Sequence, residues 1–181
     1  MKIVWIGLCG CLSLHAQAFD QVPPMIHQVA KEQGVPADIF YALLLAESQS
    51  QTRMGFKPWP WSLNYRGQAH YFPDRFSAFS YAEDLVNQGE QVFDIGIAQV
   101  NWRWHRERFN FDLWSAFDPY LNLSAAAAHL REQYARPSCN HWALAIGCYH
   151  RPARGEKDID IAHRYAQRVI EIWEEQFYTE R

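Results

Sequence analysis

Cysteine is scarce in this chain of 181 residues: there are four, and two of them, Cys9 and Cys11, fall near the start. No Cys or His pair has metal-ligand spacing, so nothing in the sequence asks for a metal, and no nucleotide motif asks for a cofactor. An excess of basic charge is also missing. The 17 Lys and Arg residues, 16 once Lys2 is set aside, face 20 Asp and Glu, so no basic stripe is available for nucleic acid. No apolar run reaches the roughly 20 residues needed to cross a bilayer. Repeats and low-complexity segments are absent.

The opening MKIVWIGLCGCLSLHAQA combines Lys2, an apolar run from Ile3 to Leu14 and the small-residue end Ala16-Gln17-Ala18. This pattern predicts a secretory signal peptide over residues 1–18, cleaved after Ala18. A lipid-attachment box at Leu8-Cys9-Gly10-Cys11 is the weaker alternative, because little apolar chain precedes Cys11. Residues 19–181 then form one domain with its own core and no transmembrane segment.

Removing the leader leaves Cys139 and Cys148. Export permits a disulfide. If HWALAIGCYH is one helix, however, nine residues at about 1.5 Å rise separate the two by roughly 13 Å, and a bridge tolerates about 7 Å between Cα atoms. The sequence reading is therefore two unpaired thiols.

Turn and cap residues divide the chain into helices. Pro23-Pro24 opens one that stops at Gly34, and Pro36 opens the next, with Ile39, Phe40, Leu43 and Leu44 at helical spacing. Residues 51–73 carry Pro and Gly breaks around an aromatic run and read as a long irregular loop, with room for a small hairpin. Ser77 is the expected cap of a helix to Asn87 or Gln88. Phe93 to Asn101 is extended or turn-like, bending at Gly96. Further helices are expected from Asp118-Pro119 through Tyr134, over Trp142–Tyr149, and over Asp160–Phe177. The fold class is all-α, α+β at most.

The helix YALLLAESQS poses a chemical question. Glu47 lies four residues after Leu43 and three after Leu44, on the apolar stripe, with no adjacent Lys or Arg. A half-exposed carboxylate at a helix end is the plain reading. A desolvated carboxyl without a cation, by contrast, holds its proton near neutral pH and suits general-acid catalysis. Two further stretches, GIAQVN at 96–101 and AIGCYH at 145–150, are weak alone; they read equally well as a buried turn and a core helix.

Taken in order, these motifs make the sequence similar to the lytic transglycosylases with a lysozyme-like soluble-lytic-transglycosylase domain. Glu47-Ser48 matches the family's Glu-Ser, and Gly96-Ile97-Ala98-Gln99-Val100-Asn101 matches its Gly-Leu-Met-Gln-(Ile/Val)-Asn. Asn122-Leu123 matches the Asn-(Ile/Leu) helix start, and Ala145 to His150 matches Ala-x-x-x-Tyr-Asn. Arg164-Tyr165 fits the late tyrosine. Three features depart from the pattern: Ala98 replaces Met, His150 replaces Asn, and the interval from Glu47 to Gly96 is long. Its WPWSLN stretch resembles a subgroup found beside conjugation and type IV secretion genes.

The resemblance implies a periplasmic monomer acting on peptidoglycan glycan strands. Its further implied partners are components of a secretion or conjugation apparatus. Glu47 would be the single acid and base in forming 1,6-anhydroMurNAc. Ser48 would fix the helix end, Gln99 would reach an acetamido group or hydroxyl, and Tyr149 would orient Glu47. Gly96 and Asn101 would shape the turn. Two rivals stand beside this reading. One is a hydrolytic muramidase using Glu47 with Asp94, although Asp94 reads more readily as structural; the other is a noncatalytic glycan-binding scaffold. Trp59, Trp61, Trp102 and Trp104 are candidate sugar platforms, with core packing expected for at least two. His105, His129 and His141 show no identifiable partner.

Overall fold

The computed structural model describes residues 21–52, 55–151 and 155–178; the expected leader lies outside these residues. Helix α1 spans Pro24–Gln33, with proline in its first turn and Gly34 closing it at φ 66°. Only a residue without Cβ takes this left-handed cap at no steric cost. Helix α2, Ala37–Ser48, is apolar nearly all round because it is enclosed nearly all round. Its Phe40, Leu43 and Leu44 are wholly buried, each contributing about 1.5–3 kcal/mol of transfer free energy.

The segment read as an irregular loop with room for a small hairpin is largely strand and does contain a hairpin. β1 (Gln49–Thr52) pairs with β2 (Gly55–Pro58). β3 (Ser62–Tyr65) and β4 (Gln68–Tyr71) form a hairpin through Arg66 and Gly67, both at positive φ as a two-residue primed turn requires. β3 also pairs with β5 (Phe93–Ile95), which pairs with β6 (Val100–Asn101), giving an antiparallel sheet in the order β4-β3-β5-β6. The α+β bound of the sequence reading is the one observed: the protein is mostly helical with a small four-stranded antiparallel sheet. Strands of two to four residues are too short to show alternation, and the β3–β5 pairing is non-local, so neither left a periodic trace.

Helix α3, Arg75–Asn87, is capped by Asp74, whose Oδ1 accepts from Ser77 N at 2.8 Å. The expected cap, Ser77, is thus the donor to the cap one turn inside. Two short helices not anticipated from sequence follow: α4 (Trp102–His105), continued by a 3-10 turn over Arg106–Phe109, and α5 (Leu113–Ala116). α6 runs Pro119–Tyr134 from its Asp118 cap, and α7 runs Trp142–His150. α8 spans Glu156–Phe177, beginning one turn earlier than expected.

Cys139 and Cys148 form a disulfide with a Cα–Cα distance of 6.5 Å, which overturns the expectation of free thiols. The rise argument failed because Cys139 is not on the helix. It sits in a separate 3-10 turn (Pro137–Cys139), and the chain is extended at His141 before α7 starts. That break folds Cys139 back toward the helix side.

The core is one cluster centred on α2, α6, α7 and α8. On α8 the buried residues Ala162, Tyr165, Ala166 and Val169 follow the i, i+3, i+4, i+7 rule. Gly147 permits the closest crossing: a Cβ there would lie 2.9 Å from Ala162 O. This approach of α7 to α8 brings Tyr149 and His150 beside Tyr165. Among the described residues no helix is long and apolar enough to cross a membrane.

Candidate active site

Glu47 stands in the last turn of α2, after its wholly buried leucines. Its carboxyl is enclosed by surrounding chain while the residue keeps some solvent access. This burial pushes its pKa up to about 7, from an ordinary 4.5. A hydrogen bond from Tyr165 opposes the rise, the negative charge of Asp94 adds to it, and Arg168 opposes it. The Tyr165 hydroxyl donates to Glu47 Oε1.

The expected hydrogen bond from Tyr149 to Glu47 is not the one observed. Tyr149 OH donates instead to Ala98 O at 3.0 Å, holding the turn between β5 and β6. Both tyrosines are buried, and burial, followed by the nearby Glu47 charge, raises both phenol pKa values well above 10. Both therefore remain protonated donors at neutral pH.

The Gly96–Gln99 turn is clamped by a buried asparagine. Asn122 is fully buried on α6; its Nδ2 donates to Ile95 O (3.1 Å) and Ala116 O (3.0 Å). Its Oδ1 accepts from Ala98 N at 3.0 Å. Gly96 has φ 78°, and a Cβ there would lie 2.4 Å from Asn122 Nδ2. Glycine is thus required twice, for conformation and for space. Ser62, nearly buried on β3, hydrogen-bonds through Oγ to the carbonyls of Gly96 and Trp59, both at 3.0 Å.

Gln99 adopts φ 46° and folds back on this turn. Its Nε2 donates to Ser62 Oγ at 3.0 Å and Gly96 O at 2.9 Å. The amide expected to reach a sugar is therefore committed, on its nitrogen side, to the turn. Asn101 Nδ2 donates to Asp94 Oδ1 at 2.7 Å across the β5–β6 pair, while Asn101 Oδ1 is buried without a partner among the described residues. Burial raises the Asp94 pKa, and the Asn101 hydrogen bond counters it. A hollow of about 300 Å³ opens beside Asp94, Asn101, Asn64 and Tyr65. Ser48 ends α2, and its side chain lies outside the described part.

The histidines read as ordinary are not all so. His129 packs its ring between His105 (4.5 Å between centroids) and Tyr149 (5.1 Å). Burial, then the charges of His105 and Arg108, lowers its pKa to about 4, so it is a neutral aromatic brace for Tyr149 at neutral pH. His150 stacks parallel on Tyr165 at 4.1 Å. Among the tryptophans Trp102 is core, Trp59 and Trp61 meet edge to face, and Trp104 is 65 % exposed. Trp61 packs against the core.

Sequence reading missed the roles of Tyr165, Asn122, Ser62 and His129. Tyr165, Asn122 and Ser62 stood within recognised stretches, whereas His129 carried no local signal. Among the described residues no group of three or more His, Cys, Asp or Glu is gathered to hold a metal ion. A lone carboxyl poised to be half protonated near pH 7, with a donor aimed at one of its oxygens, can give and take a proton within one reaction. No protein-family model, no curated protein and no solved structure matches the chain.

Proposed function

We propose that this protein is a peptidoglycan lytic transglycosylase with a lysozyme-like fold, exported to the periplasm, that cleaves the MurNAc-β-1,4-GlcNAc bond. The observation carrying the reading is Glu47: a carboxyl with pKa about 7, buried at the end of an apolar helix and held by Tyr165. Near it is Tyr149, which in turn holds the clamped Gly96–Gln99 turn.

Protonated Glu47 donates its proton to the glycosidic oxygen, and the leaving sugar departs with both bonding electrons. The substrate's own acetamido group stabilises the positive anomeric carbon. Ionised Glu47 then takes the proton of the C6 hydroxyl as that oxygen bonds to C1, closing a 1,6-anhydro ring without consuming water. Tyr165 engages Oε1, which leaves Oε2 to carry the travelling proton. Its hydrogen bond favours the anion and so helps the first transfer. The same Glu47 recovers its proton, so a second carboxylate is not required, unlike ordinary glycosidases. Remodelling of the wall for an envelope-spanning transfer or secretion system follows from the sequence resemblance.

Hydrolysis by a muramidase is the second reading. It is favoured by one observation, that Asp94 lies close enough for its charge to raise the pKa of Glu47. Against it, Asp94 Oδ1 is tied to Asn101. Mass spectrometry of digested sacculi separates the two: anhydro ends weigh one water less than reducing ends. Anhydro ends from wild type and none from Glu47→Gln are expected; reducing ends from wild type would install the hydrolase instead.

A further inference from the structure

Tyr165 has two faces in the site. Its hydroxyl reaches inward to Glu47, and its ring is covered by the imidazole of His150, parallel to within 5°. His150 is the last residue of α7 and is exposed, so its ring forms a solvent-facing rim over the buried Tyr165. Arg168 lies three residues beyond Tyr165 on α8, on the same side of the helix, and is exposed as well. Its charge acts on Glu47, Tyr165 and His150 alike, so the side chain lies near all three.

The charges around this rim are unequal. Arg151, next to His150, is engaged by Asp158 at 3.2 Å. Among the described residues no ion pair or hydrogen bond engages Arg168. A planar fork of donors beside a ring that offers nitrogen atoms is chemistry for a carboxylate. It is poor chemistry for a neutral sugar hydroxyl alone.

We infer that His150 and Arg168 form a recognition site for a carboxylate of the peptide borne by the sugar that Glu47 attacks. The inference rests on the transglycosylase reading and assigns specificity to it: this rim selects peptide-bearing glycan over stripped glycan. In the resembling family the position of His150 is an asparagine, so the stacked imidazole belongs to this chain's own residues rather than to the shared motif.

The test is the ratio of kcat/KM on glycan strands with intact stem peptides to that on amidase-stripped strands. Wild type, Arg168→Gln, Arg168→Lys, Arg168→Glu, His150→Asn and Glu47→Gln are compared, with thermal unfolding as a folding check. Arg168 is exposed at the edge of the α8 stripe, so its variants are expected to fold. Arg168→Gln should lower the ratio about tenfold, the effect of one lost charge-assisted hydrogen bond. Arg168→Glu should lower it further, Arg168→Lys should retain part, and His150→Asn should lower it less than Arg168→Gln. Equal changes on both substrates, leaving the ratio fixed, would overturn the inference while the transglycosylase reading stands. Wild type inactive on both substrates would remove that reading and this inference with it.

Discussion

Tyr165 and Glu47, separated by 118 positions in the chain, meet through a hydrogen bond from the phenol to Oε1. α2 supplies the carboxyl and α8 the donor, so the site exists only once these helices have packed. The acid is tuned by this pair: burial raises its pKa and Tyr165 draws it partway back.

A pKa of about 7 sets the pH profile. Glu47 must be protonated to act as acid, so the rate on peptidoglycan is expected to fall as pH rises through about 7. The groups facing it are Tyr165, Tyr149, Asp94 and Arg168; both phenols stay protonated in this range, and the proton on Glu47 sets the profile. A rate constant from pH 5.5 to 9 would contradict the assignment.

Tyr165→Phe should shift that profile. Loss of the hydrogen bond removes the force lowering the Glu47 pKa, so the falling limb moves to higher pH. The rate at its optimum should drop by roughly tenfold, since the anion formed in the first transfer loses its donor. The ring and its stacking on His150 remain, so the unfolding temperature serves as the structural control.

Glu47→Gln should abolish turnover yet stabilise the fold at high pH. The folded pKa is raised, so the wild-type contribution is fully present below about 4.5 and is lost as pH rises through about 7. The loss is on the order of 3 kcal/mol at pH 8, at about 1.4 kcal/mol per unit. Denaturant unfolding should therefore show the variant more stable than wild type at pH 8 and nearly equal to it at pH 4.

Asn122→Ala should destabilise by about 3–5 kcal/mol, because it strands Ala98 N and the carbonyls of Ile95 and Ala116 inside the core. Activity should fall even at temperatures where the variant stays folded, since the turn held by Tyr149 loses its clamp. A change below 1 kcal/mol in chemical denaturation would show the clamp to be dispensable.

Reduction of Cys139–Cys148 closes the series. The loop is short, and its constraint on the unfolded chain is worth about 2–3 kcal/mol. Dithiothreitol should lower the unfolding temperature of wild type and leave a Cys139→Ser, Cys148→Ser double variant unchanged.

The sequence by itself determined the helices with strong punctuation: Pro24 to Gly34, the apolar α2, Asp118-Pro119 into α6, and the amphipathic stripe of α8. It also determined that a carboxyl would lie in the α2 stripe, because residues three and four apart share a face whatever surrounds them. The β3–β5 pairing, the disulfide and the partner of Glu47 were decided by tertiary structure alone. Strands of two to four residues are too short to show a period, β3 meets β5 only across a distant stretch of chain, and Cys139 reaches Cys148 only because the backbone breaks at His141. Whether Tyr149 or Tyr165 meets the acid depends on how closely α7 and α8 cross at Gly147. Local pattern fixes which face a residue presents, and only packing fixes what that face meets.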